Sequence, residues 1–204
     1  MRRLTAFICA AAMAFGMTAT AVAAPSIGSL IPEAPALVEG TLPENYWLAV
    51  QDADTASYTN ETVARVVERF NDDEAEVPMT FPEVLEELEV DTETEIRTHA
   101  LDVVVNPLDY ESLTPFVDLV ITDGTEVSYT TDGEVRATIQ VEPARDLEAE
   151  DLLLMQVDPE TGEVYFLDVE EYDPETGEIT ATFPCLGPIM VLVKTETAAA
   201  AAAE

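Results

Sequence analysis

The chain reads as an α+β protein: a small N-terminal helical part packed on or beside a mostly antiparallel C-terminal β-sandwich. Three observations carry that reading. Val63, Val66, Val67 and Phe70 recur at the spacing of one helical face. Val135, Ala137, Ile139 and Val141 alternate with Arg136, Thr138 and Gln140, as in a strand with one wet and one buried face. The hexapeptide Asp-Pro-Glu-Thr-Gly-Glu occurs twice, at 158–163 and 173–178, each time between two strand-like runs.

The first element is a leader. Arg2 and Arg3 form a basic start, an apolar run extends from Leu4 to about Met17, and Ala21-Val22-Ala23 supplies an A-x-A signal. Residues 1–23 are expected to be a signal peptide cleaved near Ala23, which makes the mature protein secreted. Cys9 lies inside the apolar run, with no lipobox ahead of it. No later stretch approaches the ~20 apolar residues that span a bilayer, so membrane insertion is not expected.

Residues 24–44 hold Pro25, Pro32, Pro35 and Pro43 with little periodicity and read as an extended lead-in. Residues 45–114 read as a mainly helical segment that opens with a short strand candidate, Asn45 to Val50. Thr59 or Asn60 can cap the first helix. Thr80 and Glu83 have capping-box spacing, Pro82 sits in the first turn, and Val84, Leu85 and Leu88 form the apolar stripe of a second helix. Asn106-Pro107 signals a short third one.

Residues 115–194 change texture to short β-branched and aromatic runs. Ile179, Ala181 and Phe183 alternate with Thr180 and Thr182. Asp132-Gly133 is expected to close a two-residue hairpin. Residues 195–204 form an Ala-rich tail, read as loose.

In each Asp-Pro-Glu-Thr-Gly-Glu copy every residue suits a turn. Aspartate accepts bonds from the backbone N–H groups ahead of it, proline presets φ, and glycine supplies the positive φ at the exit. An EF-hand loop instead needs oxygen ligands at alternating positions, glycine in sixth place and glutamate in twelfth. Here proline is second, glycine fifth, and Pro184 holds the twelfth place of the second copy. Both copies are therefore expected to be turns.

Together with these hairpins, roughly the last 80 residues before the tail resemble the β-sandwich modules of bacterial secreted and cell-surface proteins. The resemblance rests on D-x-x-x-G-x-V turns and on the ending "TATFPCLGPIMVLVK". In it Phe183, Pro188 and Ile189 to Val193 match a strand pair that seals such modules. Cys185-Leu186-Gly187 departs from the usual centre of that ending. The resemblance implies a structural or binding module at the cell exterior and carries over no catalytic residue.

Charge excludes some partners. Eight Lys and Arg face 42 Asp and Glu, a net charge of -34; loss of Arg2 and Arg3 with the leader makes it -36. Phosphate binding needs clustered cations, so nucleic acid is not an expected partner. The acids suit solubility outside the cell and a weak association with divalent cations. Hydrophobic residues make up 48% of the chain, enough for a core.

No residue is assigned a catalytic, cofactor-binding or metal-ligating role, and no cofactor is expected. His99 is the one histidine, without a G-x-S-x-G elbow, and Ser112 and Ser128 have ordinary surroundings. With Cys9 removed, Cys185 is the one remaining thiol and reads as a core or near-core cysteine. One His and one Cys do not make a zinc site. Trp47 is the one tryptophan available as a sugar platform. Asp52-Ala53-Asp54 and Asp72-Asp73-Glu74 read as solvated acidic stretches. Asn60-Glu61-Thr62 matches the glycosylation pattern but is better explained by capping. The expected function is a non-enzymatic structural or interaction role at the bacterial cell exterior, with an envelope component or another protein as partner. The alternative is a small secreted hydrolase or carbohydrate-binding protein that uses paired carboxylates.

Overall fold

A computed structural model describes residues 35–201. The expected signal peptide lies outside the described residues, as do most of the lead-in and the last three residues of the tail.

Strands β1 (Ala36–Glu39) and β2 (Trp47–Asp52) come first, then helices α1 (Glu61–Phe70) and α2 (Phe81–Glu87). A small ribbon, β3 (Ile96–Arg97) with β4 (Val104–Val105), precedes β5 (Tyr110–Ser112) and β6 (Val117–Thr122). The remaining strands are β7 (Val127–Ser128), β8 (Val135–Gln140), β9 (Leu152–Val157), β10 (Val164–Leu167), β11 (Glu171–Asp173), β12 (Glu178–Phe183) and β13 (Gly187–Lys194), followed by α3 (Thr195–Ala201).

The strands form mostly antiparallel sheets. One has four strands in the order β1-β8-β12-β11. The other has seven, with the path β10-β9-β13-β6-β2; β5 pairs with the end of β13 and β7 with the end of β6. One isolated parallel bridge joins His99 to Leu167.

The two faces of the seven-stranded sheet have different neighbours, and side-chain alternation decides which residue meets which. Leu152 and Leu154 of β9, with Ile189, Val191 and Val193 of β13, share a core with Val135, Ala137 and Ile139 of β8 and Ile179, Ala181 and Phe183 of β12. The intervening Leu153, Met155, Met190 and Leu192 pack with Val63, Val66 and Val67 of α1 and Phe81, Val84 and Leu85 of α2. Strands covered on both faces have no wet side, which is why "LLLM" and "PIMVLV" read as unbroken apolar runs.

The helices begin as their sequences dictate. Asn60 Oδ1 accepts from the N–H groups of Thr62 and Val63, at 3.0 and 3.2 Å, and so caps α1. Thr80 and Glu83 close a capping box on α2. At Asn106-Pro107 the expected third helix is a single 3-10 turn over Pro107–Asp109, capped by Asn106, after which the chain enters β5 directly.

Three other expectations meet a different structure. The boundary drawn at 114/115 does not separate helix from sheet. The segment 45–114, read as mainly helical, also contains β2 to β5, and β2 runs beside β6 from Trp47↔Thr122 to Asp52↔Val117. Asp132-Gly133 does not close a hairpin, because β7 pairs with β6 while β8 pairs with β1 and β12. The tail read as loose forms α3 up to Ala201, consistent with alanine's leading helix propensity. Among the described residues no helix is long and apolar enough to cross a membrane.

Candidate functional site

Both copies of the doubled hexapeptide close hairpins. Asp158 Oδ1 accepts from the N–H groups of Glu160 (2.8 Å) and Thr161 (3.1 Å), and Gly162 N–H donates to the Asp158 carbonyl (2.9 Å). β9 and β10 pair from Val157↔Val164 onward. Asp173 Oδ1 accepts from Glu175 N–H (2.9 Å), and Gly177 N–H donates to the Asp173 carbonyl (2.8 Å), with Asp173↔Glu178 paired beyond it. Gly162 and Gly177 have φ of +82° and +73°. The aspartate oxygens thus point back at the turn's own backbone. Among the described residues no three His, Cys, Asp or Glu side chains gather into a group that could hold a metal ion.

His99 sits in an open groove of about 400 Å³ between the end of α2, β3 and β10. Its N–H donates to the Phe166 carbonyl (2.7 Å), its Nε2 lies 3.1 Å from Glu134 Oε1, and its ring meets Tyr165 edge-on with centroids 6.2 Å apart. Burial, and then a bond to Glu163, hold the Tyr165 phenol above its ordinary range. Arg97, also on the groove, is paired with Asp102 at 3.1 Å. Among the described residues no serine or cysteine lines the groove. The arrangement gives His99 an acidic partner, Glu134, while the Thr98 hydroxyl is bonded to the Val103 backbone.

The other residues singled out in the sequence are scattered. Cys185 is half-buried, and burial, with Asp158 and Glu163 nearby, pushes its thiol up to about 12. A thiol so protonated is a poor nucleophile. Ser128 Oγ accepts from Thr130 N–H (3.2 Å), and Ser112 lies on β5. Trp47 is half-exposed at the start of β2, which lies at the end of the seven-stranded path. Asp54 accepts from the Ser57 hydroxyl (2.6 Å), and Asp72 from Glu74 N–H (3.1 Å).

A buried polar cluster has little trace in the sequence. Asp118 of β6 is fully buried on the sheet. Its carboxylate accepts from the Tyr58 and Tyr129 hydroxyls, the latter at 2.7 Å, and from Asp54 N–H at 2.9 Å. Burial pushes its pKa up, and the three donors only partly offset this. By contrast, bonds from Thr80 hold Glu83 below the ordinary range, and turn N–H groups do the same for Asp123. The signal was an aspartate inside the apolar run "FVDLVI"; its partner Tyr58, 60 residues away, had none. The cluster ties the approach to α1 onto the sheet.

A second hollow, of about 750 Å³, opens between the β4 strand with the turn after it and the end of β13. Val103, Val104 and Leu108 line it and stay 47–48% exposed.

Comparison with family models, with curated proteins and with solved structures finds no match for this chain.

Proposed function

We propose that the chain is an exported, non-enzymatic module with an interaction or structural role at the bacterial cell exterior. In this reading the four- and seven-stranded sheets make a β-sandwich of the kind its C-terminal sequence resembles, and α1 and α2 cover the outer face of the larger sheet. One observation carries the interaction role. The buried Asp118 carboxylate is engaged inside the fold, whereas Val103, Val104 and Leu108 remain exposed around one hollow. Solvent-exposed aliphatics gathered at a concavity favour association over catalysis. Export follows from Arg2, Arg3, the apolar run and Ala21-Val22-Ala23.

Expression of the full sequence in a bacterium, followed by intact-mass measurement of the culture supernatant and a pull-down from washed envelope including peptidoglycan, tests this. The expected result is an extracellular chain beginning near Ala24 that is retained by an envelope fraction without altering it. A cell-retained chain that still carries Met1 overturns export. Release of sugars or peptides from the envelope overturns the non-enzymatic role and favours paired carboxylates.

A further inference from the structure

The hollow beside β4 differs from the rest of this surface. Val103, Val104 and Leu108 bring three branched aliphatics to it, each about half-exposed. Around them stand Asp109, Glu150 and Glu196, with one cation, Lys194. That cation is already engaged, since Lys194 Nζ lies 3.1 Å from Asp151 Oδ1. The hollow therefore sets three half-exposed aliphatics beside three acids, against a single cation that is already shared with Asp151. We infer that it docks a cationic segment with one apolar face, contributed by another protein. This deepens the interaction role proposed above and rests on it.

Charge decides among occupants. A second copy would bring another net charge of -34 against these acids, and an anionic lipid surface would be repelled in the same way. A segment with Lys or Arg along one face and Leu or Val along the other meets both features at once, as amphipathic helices do in grooves.

The test is fluorescence anisotropy with a labelled synthetic peptide that carries lysine on one helical face and leucine on the other. It is compared with a scrambled peptide of the same composition and with a glutamate-for-lysine version. At about 0.15 M salt, where long-range attraction is screened, the segregated peptide should bind saturably and about tenfold tighter than the scrambled one. The glutamate version should not bind. The double variant Val104→Ser/Leu108→Ser leaves the net charge unchanged and should weaken binding by about tenfold. Equal binding of segregated and scrambled peptides, or of wild type and double variant, overturns the inference. Methyl NMR of the unaltered protein gives a readout free of any folding defect. Shifts confined to Val103, Val104, Leu108 and their neighbours support the site, and shifts elsewhere overturn it. If envelope material retains the protein while the peptide ignores this hollow, the inference falls and the interaction role stands.

Discussion

Asp118 places a carboxylate where it has no exposed surface, near the start of β6. An ion there loses its hydration, and the Tyr58, Tyr129 and Asp54 donors restore part of it. Because burial outweighs the donors, its pKa in the folded chain stands above the ordinary aspartate value. The folded state then holds the Asp118 proton more tightly than the unfolded state does. Stability from this residue is fully present below the unfolded pKa and declines as pH rises through the folded one. Glu83 and Asp123 have the opposite sign, so wild type alone mixes the effects. The difference in unfolding free energy between wild type and Asp118→Asn removes those shared contributions. That difference should fall steadily as pH rises from about 3 toward neutrality. Urea unfolding of both proteins across that range measures it. A flat or rising difference would mean that the donors outweigh burial.

The two Asp-Pro-Glu-Thr-Gly-Glu turns carry the same letters but face different neighbours. A Cβ on Gly162 would lie 2.6 Å from Asn60 Nδ2, the movable end of the side chain that caps α1. A Cβ on Gly177 would be driven onto the backbone carbonyl oxygen of Val141, whose own N–H donates to the Gly177 carbonyl at 2.9 Å. Both glycines have positive φ, so alanine at either is strained by about 1–3 kcal/mol. Gly177→Ala should lose more than Gly162→Ala, because Asn60 can swing aside at the expense of a cap worth about 1 kcal/mol, whereas Val141 cannot move without disturbing the end of β8. Chemical denaturation of the two variants ranks them; equal losses would remove the Val141 contact from the explanation. Local signals of this kind were legible: the Val63-Val66-Val67-Phe70 face gave α1, and Thr80 with Glu83 gave the start of α2. Pairing was not. Thr122-Asp123-Gly124 and Thr131-Asp132-Gly133 spell the same tripeptide, yet the first turns β6 into β7 while the second leads to β8, which pairs elsewhere. An Asp-Gly step fixes backbone torsions, as the +93° φ of Gly133 shows, but partner choice depends on faces distant in the chain. The hollow beside β4 was illegible for the same reason, since Val104 and Lys194, which both line it, lie 90 residues apart on different sheets.

At the scale of the whole molecule, the cations are few and already engaged. Arg65 and Arg69 pair with Glu87, Arg97 with Asp102, Arg136 with Glu170 and Glu171, Arg145 with Glu142, and Lys194 with Asp151. Beyond Arg2 and Arg3, these six are all the Lys and Arg of the chain, set against 42 acids. Added salt acts in two opposing ways. It weakens the ion pairs, but exposed pairs contribute only about 0–1 kcal/mol each. It also shortens the reach of acid–acid repulsion, from about 30 Å at 0.01 M to about 8 Å at 0.15 M. With a net charge of -34 the relief of repulsion outweighs the weakened pairs, so the melting temperature should rise as NaCl increases from near zero. Sucrose at matched osmolality separates screening from general exclusion effects, and should reproduce little of the rise. A flat or falling melting temperature in NaCl would show that the acids stand too far apart to repel. Calcium at fixed ionic strength then tells diffuse screening from a built site. Since Asp158 and Asp173 hold their own turn N–H groups, calcium should stabilise wild type and the Asp158→Ala and Asp173→Ala variants alike, without saturating. Saturable stabilisation follows RT ln(1 + [L]/Kd), and its loss in either variant would turn these hairpins back into metal loops.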